Sequence, residues 1–327
     1  MSYSPPFSIT PEILNLVAAI SEQVGVLKAD AFSASPQLRK QNRIKTITGT
    51  LAIEGITFTE EQVTAVLDGK PVLGSVRELA EVKGAIKAYE ALPYLKPDQL
   101  DHLLEAHALM MSDLLAHAGA FRTQAVGIHK GEEVHHIAPP AHRVSGLMAD
   151  LMQWIASAKV HPLIVSSVFH YEFEFIHPFM DGNGRLGRLW QTLILSKWRP
   201  LFLALPLESV IKDNQENYYR ALEEADKLAE STPFIHFMLS VIQQTLAQNA
   251  LVNASIDAPV NLAALKTPQA VLRLVEENPA ITRQEMAERI GKDLRTIGRA
   301  IAKLRQAEKL RRIGSDKDGH WEITDDE

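Results

Sequence analysis

The sequence of 327 residues contains no cysteine. Disulfide bonds and thiolate metal sites are therefore excluded, and the composition suits a reducing compartment. The first seven residues carry no basic segment followed by an apolar run, so we expect no signal peptide. No uncharged apolar stretch approaches about 20 residues in length, which argues against a membrane span. These absences lead us to expect a cytoplasmic protein with no membrane partner.

Patterns typical of β-strands are scarce in this sequence, so the fold is predicted to be mainly α. Residues 8 to about 95 contain helical patterns only. One helix is expected from Ser35-Pro36 to Gly55, because a capping residue and a first-turn proline open it and a glycine ends it. A capping box at Thr59 to Gln62 opens a short second helix, and a third covers Ser75 to Leu92.

One segment of thirteen residues, Ile176 to Arg188, concentrates polar chemistry between two apolar helical patterns. It holds one imidazole, one carboxylate, one amide, three glycines and two guanidinium groups. Apolar residues recur at helical spacing both before and after it, so the segment is predicted to be a short loop joining two helices.

Each of these residue types suits the binding of phosphate. A glycine-bearing loop that opens a helix offers free N–H groups and the positive end of the helix dipole to an anion. Arg185 and Arg188 can fork onto phosphate oxygens, and Asp181 is a hard ligand of the kind that Mg²⁺ takes beside substrate phosphates. His177 could accept a proton from an attacking hydroxyl. The set predicts transfer of a phosphate-containing group.

Two known phosphate-binding patterns do not account for this segment. Gly182 to Gly187 formally matches G-x-G-x-x-G, but that pattern indicates a dinucleotide fold only after a strand, and here a helix precedes it. A P-loop is excluded because no Gly-Lys-Ser/Thr follows. A helix junction with glycines placed for packing would explain neither the two arginines nor the His–Asp pair.

The segment resembles, position for position, the signature of Fic-domain proteins, His-x-Phe-x-Asp/Glu-Gly-Asn-Gly-Arg-x-x-Arg. The resemblance implies a nucleotidyltransferase that uses ATP and Mg²⁺ to move AMP onto a Ser, Thr or Tyr hydroxyl of a protein, itself included. It makes His177 the general base and Asp181 the Mg²⁺ ligand. It also implies a set of nucleotide-binding residues: Gly182, Asn183, Gly184, Arg185 and Arg188.

A shorter motif upstream resembles the Fic inhibitory motif, Ser/Thr-x-x-x-Glu-Gly/Asn. It is formed by Thr50, Glu54 and Gly55. The resemblance pairs Glu54 with Arg188, which would deprive the γ-phosphate of ATP of its cation. The alternative is a solvated pair between Thr50 and Glu54 ahead of a glycine cap.

The central part of the chain is predicted to hold the catalytic core, residues 97–250, after an N-terminal helical region of residues 1–96. Its one hairpin pattern, residues 126–137 with a turn at Lys130 to Glu132, would be the Fic flap that holds an extended segment of the protein target. By the resemblance, Asn217 and Tyr218 line the nucleotide pocket, although aromatic residues at helical spacing are usually core.

Residues 251–266 are interpreted as a linker, and residues 267–327 as a small winged helix-turn-helix domain. Three short helices and a two-stranded wing fit that fold. Residues 282–312 carry ten Lys or Arg against four Asp or Glu, a basic stripe that favours DNA. Arg295, Thr296 and Arg299 are the predicted contacts. Protein contacts or a homodimer remain the alternative use of this module.

The leading hypothesis is therefore an autoinhibited protein adenylyltransferase. Removal of AMP by a water that Glu54 orients is a second enzymatic interpretation, and another nucleotide or phosphocholine donor a third. From a different class, the chain is a DNA-binding regulator whose core senses nucleotide.

Overall fold

The computed structural model describes residues 3–26, 36–130, 133–257, 262, 265–314 and 319–324. The chain forms two compact units, residues 1–252 and 253–327. None of the helices in the described part of the chain has the length and apolar character that a bilayer crossing requires.

The N-terminal region consists of helices, and its capping residues act as the sequence predicts. Thr59 and Ser75 both form complete capping boxes. Gly55 and Gly69 follow helix ends with φ of 83° and 70°, the left-handed conformation that glycine adopts freely. Ser35 lies outside the described residues. The described residues of this region form α1 Pro11–Val26, α2 Pro36–Ile53, α3 Glu60–Leu67 and α4 Val76–Ala91.

The core continues with seven α-helices, one hairpin and a short 3₁₀ helix in the described residues. They are α5 Leu100–Met111, β1 Gly127–Lys130, β2 Glu133–Ile137, α6 Ala141–Ser157, α7 Pro162–Ile176, α8 Asn183–Trp198, the 3₁₀ helix Pro200–Ala204, α9 Leu207–Asp213, α10 Gln215–Leu228 and α11 Thr232–Asp257.

Helices α7 and α8 form the centre of this unit. Both are buried over most of their surface, including their polar residues, because other helices pack around them. Phe169, Phe173 and Trp190 are completely buried between them and their neighbours. The loop that joins α7 to α8 is therefore supported from beneath by the most rigid part of the molecule.

Two glycines set how closely the N-terminal helices approach this core. A Cβ on Gly49 of α2 would lie 2.7 Å from the backbone of Glu208 in α9. A Cβ on Gly84 of α4 would lie 2.0 Å from the carbonyl oxygen of Met110 in α5. Since no side chain fits in either gap, these helices touch backbone to backbone, and this contact fixes the positions of α2 and α4.

The predicted hairpin is present as an antiparallel pair in which Gly127 lies opposite Ile137. Its register shifts between Ile128 and His129, as at a β-bulge. Gly131 and Glu132 of the predicted turn lie outside the described residues.

The first part of the predicted linker is helical, because α11 continues through Asp257. Residues 251–257 contain neither proline nor glycine, so nothing in them terminates a helix that is already formed.

The C-terminal unit has three helices followed by two antiparallel strands, as predicted. They are α12 Thr267–Glu277, α13 Arg283–Ile290, α14 Leu294–Gln306, β3 Leu310–Ile313 and β4 His320–Ile323. Thr282 forms a complete capping box and Gly291 ends α13 with φ of 69°. Trp321 of the wing is buried, and its indole N–H donates to the carbonyl of Ile281, which fastens the wing to the helices.

Candidate active site

His177 lies where α7 ends and the Gly-rich loop begins. Its backbone is left-handed, with φ of 49° and ψ of 60°, and its N–H donates to the carbonyl of Phe173 at 2.9 Å. This conformation is uncommon for a residue with a side chain, and it turns the chain sharply out of the helix. Gly182 makes the second turn, with φ of 85°, and α8 begins at the next residue. The loop therefore leaves one helix and opens another within six residues.

Asn183 holds this loop closed. Its side-chain amide donates to the carbonyl of Phe179 and accepts from the N–H of the same residue, both at 2.9 Å. The Phe179 ring is completely buried and stacks on His107 with 3.7 Å between ring centres. The side chain of Asn183 is thus engaged within the loop, and what this part of α8 offers an anion is the backbone N–H groups of its first turn.

Two residues that the sequence analysis did not single out fix the loop from outside. Arg122 is 3% exposed, and its guanidinium donates to the carbonyls of His177, Ile176, Gln124 and Pro139. His107 accepts the N–H of Gly119 at Nδ1, so its Nε2 carries the proton and donates to the carbonyl of Asp181 at 3.0 Å. Burial lowers the pKa of His107, which keeps the ring neutral.

Arg188 is the most deeply placed cation of the site, at 2% exposure. Its guanidinium donates to the hydroxyl and the carbonyl of Thr50 at 3.0 and 3.2 Å, and to the Glu54 carboxylate at 2.7 Å. Burial acts to lower the pKa of Arg188, but its ion pair and hydrogen bond with Glu54, together with the other acidic groups around it, outweigh burial, so the pKa is raised. Burial conversely acts to raise the pKa of Glu54, and Arg188 holds it below its ordinary value. The pair is therefore fully ionised at neutral pH.

The Glu54 carboxylate also lies against the start of α8. A Cβ built on Gly184 would be 2.6 Å from the carboxylate oxygen of Glu54 and 3.1 Å from the Arg188 guanidinium. The carboxylate thus occupies the space directly over the glycine that leaves the helix start open. It is a negative group at the position where phosphate is predicted to bind.

Arg185 points toward a second set of charges on the other side of the helix start. It is 3% exposed and donates to Oδ1 of Asp181 at 3.1 Å. It also forms a close ion pair with Glu81 of α4, whose side chain is 5% exposed. Oδ1 of Asp181 accepts in addition the N–H of Gly182 at 2.7 Å. The first signature arginine and the predicted metal ligand are therefore linked.

Asp181 fits one particular kind of magnesium site. The described residues contain no group of three or more His, Asp or Glu side chains that could hold a metal alone. Mg²⁺ bound chiefly through substrate phosphates needs only one or two carboxylates. The Asp181 side chain is 37% exposed and lies at the start of α8, where a phosphate would arrive. The residues fit that mode of binding and do not fit an all-protein cage.

The two predicted pocket residues of α10, Asn217 and Tyr218, differ in burial. Tyr218 is 2% exposed. Its hydroxyl is hydrogen-bonded to Nε2 of His170 at 3.1 Å, and its ring packs against Phe234 and Phe237. Its burial is that of a core residue, as is usual for aromatic residues at helical spacing, and its place in a nucleotide pocket stays a prediction. Asn217 is exposed on the other face of the helix.

The predicted DNA-contact residues lie on α14. Arg295 and Arg299 are exposed. The Thr296 hydroxyl is hydrogen-bonded to the Asp293 carboxylate, which caps the helix, so Thr296 has a local structural role.

The fold and site define a helical protein with a glycine-bearing helix start, a histidine in the loop before it and an internal carboxylate on its deepest arginine. The Fic/DOC family model matches residues 95–195, and a model described as "Winged helix-turn-helix DNA-binding" matches residues 265–311. A crystal structure of a Fic family protein from Desulfovibrio desulfuricans G20 is 41% identical, covers 99% of both chains and has a TM-score of 0.76. The chain therefore belongs to the Fic family.

More distant relatives agree in fold. Fic-1 from C. elegans (residues 134–508) is similar with a TM-score of 0.61 and 21% identity, over 75% of this chain and 73% of that one. "Protein adenylyltransferase Fic" of Aedes aegypti is 27% identical over 250 residues, which are 73% of this chain and 48% of the relative. The Culex quinquefasciatus protein of the same name is 28% identical over 72% of this chain and 49% of its own length. The chain thus spans about half the length of the curated relatives it matches.

Proposed function

We propose that this protein is an autoinhibited protein adenylyltransferase, which transfers AMP from ATP to a Ser, Thr or Tyr hydroxyl of a protein target and of itself. The observation that carries the proposal is the arrangement at the start of α8. His177 and Asp181 lie in the loop just before the Gly182–Gly184 backbone, and Arg188 is paired with the carboxylate of Glu54, which follows α2. The names of the curated relatives support the same activity.

In the proposed reaction the ATP phosphates bind at the N–H groups of α8, with Arg185 and Arg188 on their outer oxygens. His177 takes the proton from the target hydroxyl, whose oxygen attacks the α-phosphorus. The bond from the α-phosphorus to the bridging oxygen breaks, and pyrophosphate leaves with the electron pair. Mg²⁺, held by Asp181 and by phosphate oxygens, would supply neutralisation of the phosphate charge.

The proposed inhibition follows from the position of Glu54. While its carboxylate neutralises Arg188, that arginine gives no net positive charge to a γ-phosphate. The same carboxylate lies over Gly184, so it repels an incoming anion. Removing Glu54 should free both the cation and the space, and the bound nucleotide should then adopt its reactive position.

Two partners belong to this proposal. The hairpin of β1 and β2 would add an extended segment of the target as a further strand, which brings a hydroxyl toward His177. The C-terminal unit would bind DNA through the exposed Arg295 and Arg299 of α14. The description of its family model supports that use.

The experiment is incubation of purified variants with ATP and Mg²⁺, followed by intact mass measurement. Glu54→Gly should gain the mass of one or more AMP groups, and wild type should gain little or none. Asp68→Gly is a matched control, since Asp68 is likewise an acidic residue directly before a left-handed glycine at a helix end. It should behave as wild type. Adding His177→Ala to Glu54→Gly should abolish the gain.

The second enzymatic candidate is removal of AMP. It is favoured by one observation, that the Glu54 side chain is 33% exposed and so is accessible to a water molecule. No mass gain in Glu54→Gly, combined with Glu54-dependent loss of AMP from a modified protein, would replace the transferase proposal by this one.

A further inference from the structure

Helix α4 supplies two charged side chains to the start of α8. Arg77 approaches Oδ2 of Asp181 at 3.3 Å, and its Nε lies 3.6 Å from Glu81. Glu81 pairs in turn with Arg185, and Arg185 with Oδ1 of Asp181. The four residues form a closed ring in which positive and negative groups alternate.

The two oxygens of Asp181 are used differently in this ring. Oδ1 already accepts the N–H of Gly182 and a guanidinium N–H of Arg185. Oδ2 is paired with Arg77 from outside. Since the carboxylate is 37% exposed, Oδ2 is the oxygen that an arriving divalent cation would take. The Arg77 guanidinium therefore lies in the position at Oδ2 that the metal ion would take.

The two ends of the ring also differ in how firmly they are held. Glu81 and Arg185 are both buried, so their pairing is permanent while the protein is folded. The Arg77 side chain is 72% exposed, and an exposed ion pair of this kind is weak and screened by salt. Glu81, four residues along the same helix, directs Arg77 over Asp181 without burying it.

We propose that Arg77 is an internal competitor for the divalent cation at Asp181. A metal ion can bind Oδ2 only when Arg77 has moved away, so the affinity of the site for metal is set partly by α4. The inference rests on the proposed function in taking Asp181 as the metal ligand. It adds a second control to the phosphate site, separate from Glu54 and acting on the metal rather than on the γ-phosphate.

The test is binding of Mn²⁺ to the 1:1 complex of the protein with ADP, whose phosphates supply further oxygen ligands, measured at low ionic strength from the electron paramagnetic resonance signal of the protein-bound ion. Asp181→Asn defines the binding that depends on this site. Arg77→Gln should lower the dissociation constant of that binding about three- to tenfold, because one positive charge next to the ligand oxygen is removed. Lys83→Gln, which removes an exposed charge from the same helix, should leave it unchanged.

The inference is overturned if Arg77→Gln binds Mn²⁺ with the wild-type dissociation constant, if Lys83→Gln tightens binding equally, or if Asp181→Asn loses no binding. Thermal unfolding of each variant checks that the fold is retained. The proposed function is judged separately, by AMP transfer in Glu54→Gly. Transfer with an unchanged Mn²⁺ constant in Arg77→Gln rejects this inference alone, and tighter Mn²⁺ binding without transfer rejects the proposed function alone.

Discussion

Helices α8 and α14 each carry a pair of arginines in their first two turns, and these two pairs lie in opposite surroundings. Arg185 and Arg188 of α8 are 3% and 2% exposed, and each has a carboxylate partner. Arg295 and Arg299 of α14 are exposed. The comparison shows that the use of an arginine depends on its burial and not on its position along a helix.

A buried guanidinium needs a fixed partner, because an unpaired charge in the interior is costly. The site at α8 is therefore suited to control by the carboxylates that pair with its arginines, and the protein itself supplies these from Glu54, directly after α2, and from Glu81 of α4. Exposed arginines keep their hydration and act through the summed field of many charges, which salt screens. The buried pair in α8 is suited to a switch, and the exposed pair in α14 is suited to binding a polyanion.

The largest effect is expected from removing His177 when Arg188 has already been freed from Glu54. In a Glu54→Gly background, His177→Ala should lower the initial rate of AMP transfer by about 10²- to 10⁴-fold, the usual worth of a general base. The exposed His142→Ala in the same background should keep the rate. A His177→Ala rate within a few-fold of the parent would reject the role of His177.

Burial should affect the ionisation of a carboxylate as it affects the pairing of the arginines, and Glu208 is an example. It is 1% exposed and accepts from the Tyr89 hydroxyl at 2.8 Å. Burial raises its pKa to about 7 from an ordinary 4.5. The folded state then binds more protons than the unfolded state between these values, so the free energy of unfolding falls as pH rises from 4.5 through 7, by roughly 3 kcal/mol.

Glu208→Gln should remove this fall while keeping an oxygen for Tyr89. Urea unfolding at pH 5 and pH 8 measures the difference, and the exposed Glu216→Gln should retain the wild-type slope. Parallel pH profiles for wild type and Glu208→Gln would show that the carboxyl group is not neutral in the folded protein.

Glu54 should show the opposite dependence on pH. Its pKa is lowered in the folded state, so its contribution is present above the ordinary value of 4.5 and is lost as pH falls through the folded pKa. At pH 7 Glu54→Gln should unfold with a free energy smaller by about 1 kcal/mol, a modest value because the carboxylate is one-third exposed. Urea unfolding at pH 7 and pH 3.5 checks this. A deficit that stays constant at both pH values contradicts the ion pair.

The smallest effect is expected at the exposed pair. Changing Arg295 and Arg299 to alanine should weaken binding to duplex DNA about fivefold at moderate salt, and should reduce the slope of log K against log salt by about 2. Filter binding over a series of salt concentrations measures both quantities. Arg273 of α12, changed to alanine, is the control within the same unit. An unchanged slope would remove these two arginines from the DNA surface.

Much of the site could be predicted because its information is local. The glycine turn at Gly182 and the capping boxes at Thr59, Ser75 and Thr282 depend on residues within a few positions of one another. Arg188 and Glu54 are 134 residues apart, and only the resemblance of two separate motifs connected them in advance. The ion pair between them is now observed.

The remaining features depend on how distant helices pack. Nothing in the sequence around Arg77 and Glu81 distinguishes them from an ordinary surface pair four residues apart, and Asp181 lies 104 residues beyond Arg77. The sequence left both a pocket and a core position open for Tyr218, and its burial depends on packing against Phe234 and Phe237 of α11. The length of α11 escaped prediction for the opposite reason, since no local signal stops it.

The central claim is that Glu54 withholds Arg188 from the γ-phosphate. It is tested most directly by isothermal titration of ATP and ADP, each with Mg²⁺, into wild type and Glu54→Gly. In wild type the two dissociation constants should be nearly equal, because the γ-phosphate gains no cation. In Glu54→Gly ATP should bind about tenfold or more tightly than ADP, the worth of charged hydrogen bonds, and Arg188→Gln in that background should abolish the preference. The same ratio of ADP to ATP constants in wild type and Glu54→Gly would contradict the account.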